Sequence, residues 1–272
     1  MPSLQNPVVL VFSGLDPSGG AGIQADIETL RSQACHPCPI VTVLTVQDSI
    51  GIKNLVPVSA SLVIEQASVV MADFSIAAIK IGLIGHISLI KELRAFIDLW
   101  PDIPVILDPI LASGNGASLA DSKYIRALVE YLLPITHVLT PNHHEAQALA
   151  QSLGVTTNNE QDWADILLRQ GCEYLLVSGG HQPTVDIVNR LYNGTEPTKS
   201  SHWPRLPGQY HGTGCTLAAA LAGLIAHQQD LPTAFQRAQE YTWACVQHSY
   251  TLGLGQAFPN RFYWANTQIP PA

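Results

Sequence analysis

The chain has 272 residues, 47% of them hydrophobic, and its 13 Lys plus Arg against 21 Asp plus Glu give a formal net charge of −8. This length suits one large α/β domain and is short for two, so we expect a single domain over residues 1–272. The cations are scattered singly and leave no basic patch for nucleic acid, and no apolar run is long enough to predict a membrane span.

The N-terminus and the cysteines predict the compartment. The first seven residues lack a basic start followed by an apolar core, which argues against export. Five cysteines, an odd number, suit a reducing compartment better than a disulfide framework. Cys35 and Cys38 have redox-motif spacing but precede a strand, so a redox role is disfavoured. We therefore expect a soluble cytoplasmic protein.

Apolar runs alternate with amphipathic stretches along the chain. Strands are expected at Val8–Phe12, Ile40–Thr45, Ala77–Ile81, Val105–Asp108, His137–Leu139 and Tyr174–Val177. Helices are expected at Ile23–Ser32, Ala60–Ala72, Ser88–Trp100, Ser122–Leu132, Asn142–Ser152, Asn159–Gln170, Thr213–Ala226 and Pro232–Thr251. This alternation predicts a mostly parallel sheet covered by helices on both faces. Turn residues between Ile187 and Leu206 predict a hairpin at one edge of that sheet, and the tail from Gly253 is expected to be irregular.

Residues 13–26, Ser-Gly-Leu-Asp-Pro-Ser-Gly-Gly-Ala-Gly-Ile-Gln-Ala-Asp, join the first strand to the first helix through a glycine-rich turn. The glycine spacing fits neither a P-loop nor a dinucleotide fingerprint, and Ser18 lies in no Gly-x-Ser-x-Gly elbow. Ligands of such folds bind beyond the carboxyl ends of the strands, where this turn begins.

A second glycine-rich segment, Gly-Thr-Gly-Cys-Thr at residues 212–216, runs directly into the Ala-rich segment Leu217–His227. Backbone N–H groups at such a helix start hold anions. A thiol there has a lowered pKa, so Cys215 would remove a proton from an attacking hydroxyl. Alternatively, the helix simply begins after a turn and packs a small cysteine in its first layer. The segment alone does not decide between these two interpretations.

Seven segments in a fixed order resemble the hydroxymethylpyrimidine/phosphomethylpyrimidine kinases of thiamine biosynthesis, a branch of the ribokinase-like superfamily. They are Gly14–Asp26, Thr45–Ser49, Lys80–Leu83, Leu107–Pro109, Thr140–Glu145, Gly179–His181 and His211–Thr216. The resemblance covers nearly the whole chain and implies a three-layer sandwich with a mostly parallel central sheet. It also implies phosphorylation of 4-amino-5-hydroxymethyl-2-methylpyrimidine by ATP with Mg²⁺, phosphorylation of the monophosphate product to the diphosphate, and a homodimer.

The resemblance assigns catalytic and substrate roles. Gly212 and Gly214 would bind the transferred phosphoryl group and Cys215 would act as base, where sugar kinases of the superfamily carry an aspartate. The polar partners of the pyrimidine would be Asp16 and Gln47, although an Asx-turn and a solvated amide are the alternatives. The remaining pocket residues would be Gly14, with Leu83 and Ile110 as apolar walls or as core.

Asp108 and Glu145 follow neighbouring strands and would hold Mg²⁺, a cation that one or two carboxylates typically bind. A glutamate in a first helical turn is also favoured by helix electrostatics alone. Adjacent histidines at positions 143 and 144 suggest zinc, but no third ligand lies at a standard spacing.

The nucleotide would face Ser178, Gly179, Gly180 and Thr213. Many members of the family have a lysine at the position of Ser178 and another in an Ala-Lys-Ser-Gly segment, where this chain reads Ala112-Ser113-Gly114-Asn115. Two positive charges near the phosphates are therefore missing. Lys80 would be a substitute, unless it only anchors a strand end.

Two other functions stay open at this point. Pyridoxal kinase acts on a similar ring with a hydroxymethyl group, and a non-catalytic sensor would bind a pyrimidine without turnover. Gln47 and the Asp-Pro-Ser-Gly-Gly-Ala-Gly turn favour the pyrimidine kinase, while Cys215 together with the two carboxylates argues against the sensor.

Overall fold

The computed structural model describes residues 6–112, 116, 119–180, 182, 184–194 and 197–265. Its strands are β1 Val8–Leu15, β2 His36–Gln47, β3 Ile52–Pro57, β4 Ile76–Ile81, β5 Val105–Leu107, β6 Val138–Leu139, β7 Tyr174–Val177, β8 Asp186–Tyr192 and β9 Pro197–Pro204. Its α-helices are α1 Gly22–Ser32, α2 Ala60–Asp73, α3 Ile87–Ile97, α4 Ser122–Ala127, α5 His143–Ser152, α6 Glu160–Arg169, α7 Thr213–Ala226 and α8 Leu231–Gln247. A π-helical turn, Leu128–Leu132, continues α4.

All nine strands form one sheet in the order β3-β2-β1-β4-β5-β6-β7-β8-β9. The pairs from β2 through β7 are parallel, whereas β3, β8 and β9 are antiparallel to their neighbours. The strand order reverses at β1, which lies between β2 and β4. Ligands of open parallel sheets bind at such a reversal, beyond the carboxyl ends of the strands.

Helices cover both faces of the sheet because alternate strand residues point to opposite sides. Leu10 and Phe12 of β1 pack into a core with α2 through α6. Val9 and Val11 pack against α1 and α7, and α8 joins α7 over the β6–β8 half of the sheet. The expected three-layer α/β architecture is therefore confirmed. Every helix among the described residues is too short or too polar to span a membrane.

The predicted strands and helices are found with small shifts at their ends. The expected helix Pro232–Thr251 is four residues shorter at its C-terminus, where α8 ends at Gln247. The predicted edge hairpin is confirmed as β8 and β9, although Glu196 of its turn lies outside the described residues. The prediction missed β3, which pairs with β2 after a turn closed by Asp48, whose Oδ1 accepts from the N–H groups of Ile50 and Gly51.

Candidate active site

A cavity of about 940 Å³ opens beyond the carboxyl ends of the parallel strands. All of the predicted site residues except Gly179 line it: Gly14, Asp16, Gln47, Leu83, Asp108, Ile110, Glu145, Ser178, Gly180, Gly212, Thr213, Gly214 and Cys215. Residues at or after the ends of β1, β2, β4, β5 and β7 thus meet Glu145 of α5 and the start of α7 in one space.

Gly179, expected to face the nucleotide, instead packs against β8. Its N–H donates to Asn189 Oδ1 at 3.0 Å, and a Cβ at this position would lie 2.4 Å from the carbonyl oxygen of Val188. The glycine is needed for the close approach of two backbones. Only its neighbours Ser178 and Gly180 line the cavity.

The start of α7 has the geometry of an anion site. Gly212 precedes the helix with φ 82°, a conformation that favours glycine. A Cβ built on Gly214 would meet no described atom within 4 Å, so the backbone of the first turn borders open space. The free N–H groups of a helix start are donors without intrahelical partners. An anion can therefore approach them directly.

Cys215 is buried, and its surroundings raise the pKa of its thiol to about 12. Burial is the largest cause, because a thiolate loses its hydration; the charges of Asp108 and Asp26 add to it, and the Lys80 ammonium opposes it. The prediction of a lowered pKa is therefore wrong for this structure. Burial outweighs Lys80 and the backbone hydrogen bond from Gly22, which lower the pKa, so the thiol carries its proton at neutral pH.

A buried ion pair lies beneath this site. Lys80 Nζ is 2.9 Å and 3.0 Å from the two carboxylate oxygens of Asp26, and both side chains are fully buried. Burial alone would lower the pKa of Lys80, but Asp26, Cys215 and Asp108 outweigh burial and raise it. Lys80 is thus a fixed positive charge. Since it does not line the cavity, it anchors a strand end and does not replace the missing lysines.

Beside the start of α7, Asp16 and His211 form a buried pair that lines the cavity. Asp16 Oδ2 lies 2.7 Å from His211 Nε2, and Oδ1 accepts from the N–H and the hydroxyl of Ser18. Burial alone would raise the pKa of Asp16, but these hydrogen bonds outweigh it and lower the pKa. Asp16 thus makes the Asx-turn considered above and also lines the cavity. Sequence reasoning missed the role of His211, although it directly precedes Gly212.

The hydrogen-bond network fixes the orientation of the Gln47 amide. Ionised Asp16 can only accept, so His211 Nε2 carries a proton and cannot accept from Gln47 Nε2, which lies 2.9 Å away. When the amide is turned by half a turn, Oε1 faces His211 and shares the single His211 Nε2 proton with Asp16 Oδ2. Gln47 Nε2 then donates to Thr45 Oγ1, and the Thr45 hydroxyl donates to the Leu15 carbonyl. Every donor then has an acceptor. We therefore assign this orientation to Gln47.

Asp108 and Glu145 are buried carboxyl groups with raised pKa values, about 6 and about 8. Burial is the main cause for both, and the charge of Asp108 further raises the pKa of Glu145. Glu145 also closes the capping box of α5 by accepting from the N–H of Asn142. Asp108 Oδ2 is buried and has no hydrogen-bond partner among the described residues. Two crowded carboxylates with a free buried oxygen fit Mg²⁺, which needs few protein ligands.

Arg205 is the only lysine or arginine among the described residues that line the cavity. Its guanidinium donates to the carbonyl oxygens of Gly180, Gln182 and Thr184 at 2.7, 2.6 and 2.8 Å. These acceptors are neutral, so they leave its positive charge uncompensated. The segment Ser113-Gly114-Asn115, where the second expected lysine is missing, lies outside the described residues.

The sheet topology, the anion site at the start of α7 and the paired carboxylates together define a small-molecule kinase of the ribokinase-like class. The structure of Staphylococcus aureus pyridoxal kinase in complex with AMP-PCP and pyridoxal shares this fold, with a TM-score of 0.84 and 21% identity over 96% of this chain and 95% of that one. A phosphomethylpyrimidine kinase structure from Clostridium difficile has a TM-score of 0.74 and 25% identity over 87% of this chain and 98% of that one.

The model of the phosphomethylpyrimidine kinase family matches residues 16–260. The hydroxymethylpyrimidine/phosphomethylpyrimidine kinase of Haemophilus influenzae is 32% identical over 96% of this chain and 98% of its own length. The chain therefore belongs to the phosphomethylpyrimidine kinase family, and the resemblance drawn from its motifs is confirmed.

Proposed function

We propose that this protein transfers the γ-phosphoryl group of ATP to the primary hydroxyl of 4-amino-5-hydroxymethyl-2-methylpyrimidine, and then phosphorylates the monophosphate to the diphosphate, in thiamine biosynthesis. The names of its relatives give the reaction. The observation that carries the proposal is the single cavity that joins Gln47, Cys215 and the Asp108–Glu145 carboxylates.

Ring recognition rests on the Gln47 amide. In the orientation assigned above, its carbonyl oxygen keeps a lone pair and its NH₂ group keeps a proton. A 4-aminopyrimidine presents the complementary pair side by side, an amino donor next to a ring nitrogen acceptor. Leu83 and Ile110 supply apolar walls on the cavity lining.

Pyridoxal is the alternative substrate, because pyridoxal kinases share the fold. Its phenolic hydroxyl lies between a methyl group and the aldehyde, and the hydroxyl and aldehyde hydrogen-bond to each other, so they match an amide less well than an amino group beside a ring nitrogen does. When the bound ring covers the Gln47 amide, each of its groups left without a partner costs about 1–3 kcal/mol. The pyrimidine is therefore the better-matched ring.

The transfer step uses the start of α7. The N–H groups that follow Gly212 receive the phosphoryl group, whose charge develops in a loose transition state where positioning supplies most of the rate. The substrate hydroxyl is directed at Cys215. Mg²⁺ would be held by Asp108 and Glu145 and would offset the charge of the phosphates. The Cys215 thiol first releases its own proton to solvent, a step that the Lys80 ammonium favours, and the thiolate then accepts the proton of the substrate hydroxyl.

The nucleotide end of the cavity is formed by Ser178, Gly180, Thr213 and Arg205. We assign to Arg205 the electrostatic role of the lysine that is absent at position 178. Trp203 and Trp243 also line this end, with ring centroids 6.1 Å apart, and offer aromatic surface to a base.

We also propose a homodimer that forms through the outer face of β2 and β3. Thr45 and Gln47 line the cavity, whereas Leu44, Val46 and Val56 are exposed on the opposite face. Contiguous exposed apolar side chains mark interaction surfaces. A second copy on this face would support the strand that carries Gln47 from behind.

The first test is ATP consumption by the purified protein with Mg²⁺, offering hydroxymethylpyrimidine, its monophosphate and pyridoxal in parallel. Cys215→Ala is expected to lower kcat by about 10²–10⁴-fold, since the base is lost but positioning remains. Cys172→Ala is the matched control, because this buried thiol does not line the cavity. A Cys215→Ala variant as active as the control would refute the assigned role.

A further inference from the structure

Arg261 lies in the irregular segment after α8 and is only 2% exposed. The family model matches residues 16–260 and ends just before Arg261. It does not line the cavity, yet its guanidinium reaches both glycine-rich segments of the site.

Its three nitrogens contact three different places. Nη2 donates to the carbonyl oxygen of Gly20 at 2.5 Å, in the turn after β1. Nε donates to Thr216 Oγ1 at 3.0 Å, in the first turn of α7. Nη1 donates to Glu28 Oε2 at 3.1 Å and balances the charge. One side chain therefore ties the turn that carries Asp16 to the helix start that carries Cys215.

The two segments touch at the point where Arg261 holds them. A Cβ on Gly212 would lie 2.0 Å from the carbonyl oxygen of Gly20 and 2.9 Å from Arg261 Nη2. The Thr216 hydroxyl accepts a hydrogen bond from Arg261 and donates one to the Gly212 carbonyl oxygen at 2.8 Å. The guanidinium thereby fixes the conformation of Gly212 directly and through Thr216.

Arg261 is itself held by α8. The Tyr241 hydroxyl donates to the backbone carbonyl oxygen of Arg261 at 2.7 Å. The N–H of the preceding residue, Asn260, donates to the carbonyl oxygen of Cys245. The planar fork of arginine suits three acceptors in different directions, and the point charge of lysine does not replace it.

We propose that Arg261 is a positioning residue for phosphoryl transfer, which sets the spacing between the acceptor-binding turn at Asp16 and the anion site at Gly212–Cys215. This inference rests on the proposed kinase function but not on which ring is phosphorylated. It predicts a large effect on the transfer step and a small one on nucleotide affinity, because Arg261 hydrogen-bonds to Gly20, Thr216 and Glu28 and to none of Ser178, Gly180 and Arg205 of the nucleotide end.

The test compares Arg261→Lys with two control variants. Glu28→Gln removes the ion pair but leaves the contacts of Arg261 to Gly20 and Thr216 in place, and Arg94→Lys is a surface control. Arg261→Lys is expected to lower kcat by about 10- to 100-fold, since small misplacements cost this much. ATP affinity by calorimetry should stay within about twofold of wild type, and both controls should keep their kcat.

Hydrogen exchange supplies a readout that does not depend on activity. In Arg261→Lys, exchange should rise at residues 19–22 and 213–216 and stay unchanged in the β4–β7 core. Wild-type kcat with unchanged exchange would overturn the proposal, as would a uniform loss of protection with kcat and ATP affinity falling together. If the wild type phosphorylates pyridoxal and not the pyrimidine, the proposed substrate fails while Arg261 is tested on pyridoxal.

Discussion

The Cys215 thiol shows why a local motif does not determine a pKa. The motif places it at a helix start, where a thiolate is favoured, and this placement is found. The folded chain buries the thiol and places two carboxylates near it, Asp108 after β5 and Asp26 in α1. Both effects raise the pKa, and neither is visible in residues 212–216 alone. His211 likewise became interpretable only when the fold placed it against Asp16.

Replacement of Gln47 tests ring selectivity. Gln47→Ala removes the paired donor and acceptor, so KM for hydroxymethylpyrimidine should rise by about 10- to 100-fold, as expected for one or two lost hydrogen bonds. KM for pyridoxal and for ATP should change little. Steady-state kinetics with each acceptor decides this, and equal effects on both rings would contradict the proposed role of Gln47 in ring selectivity.

Glu145→Gln separates stability from function. The folded pKa of Glu145 is about 8, above its unfolded value, so the folded state keeps the carboxyl proton to a higher pH than the unfolded state does. The free energy of unfolding therefore decreases as the pH rises toward 8. The glutamine keeps an acceptor for the α5 cap and removes this pH dependence. Without Mg²⁺ at pH 8, the variant should melt at or above the wild-type temperature.

With Mg²⁺ and substrates, the same variant should be strongly impaired and should need more Mg²⁺. Glu173→Gln, at an exposed carboxylate, is the control. A Glu145→Gln protein that melts below wild type at pH 8 without Mg²⁺ would show that the carboxylate is structural.

At the scale of strands and helices, the sequence predicts the buried strands best. The parallel strands β4 to β7 are short apolar runs, and each is found within two residues of its expected bounds. Strand β3 was missed because most of its residues are exposed and two of them, Lys53 and Asn54, are polar. The contacts of Arg261 link it to partners more than 200 residues away in sequence, which no local pattern reveals.

The loop between β7 and β8 supplies a prediction at this scale. Arg205→Ala removes the one fixed cation on the described cavity lining and releases the carbonyls of Gly180, Gln182 and Thr184. KM for ATP should rise by about 10-fold or more, as for loss of a charge-assisted contact. Arg205→Lys should recover part of the loss, and Arg169→Ala is a surface control. Unchanged ATP kinetics in Arg205→Ala would contradict the proposal that Arg205 replaces the lysine missing at position 178.

At the scale of the whole molecule, the sheet runs from β3 to β9, and its exposed β2–β3 face predicts assembly. Val46 is 51% exposed, so Val46→Glu should leave the fold intact and shift a dimer toward monomer, because a charge in an apolar interface is costly. Light scattering after size exclusion measures this. Wild-type protein that is monomeric at all concentrations would contradict the proposed dimer.

The most direct test of the central claim is identification of the product formed from an equimolar mixture of hydroxymethylpyrimidine and pyridoxal with ATP and Mg²⁺, by mass spectrometry and phosphorus NMR over time. We predict hydroxymethylpyrimidine monophosphate first, then the diphosphate, with little phosphorylated pyridoxal. Phosphorylated pyridoxal as the main product, or no phosphorylated product, would contradict the proposed function.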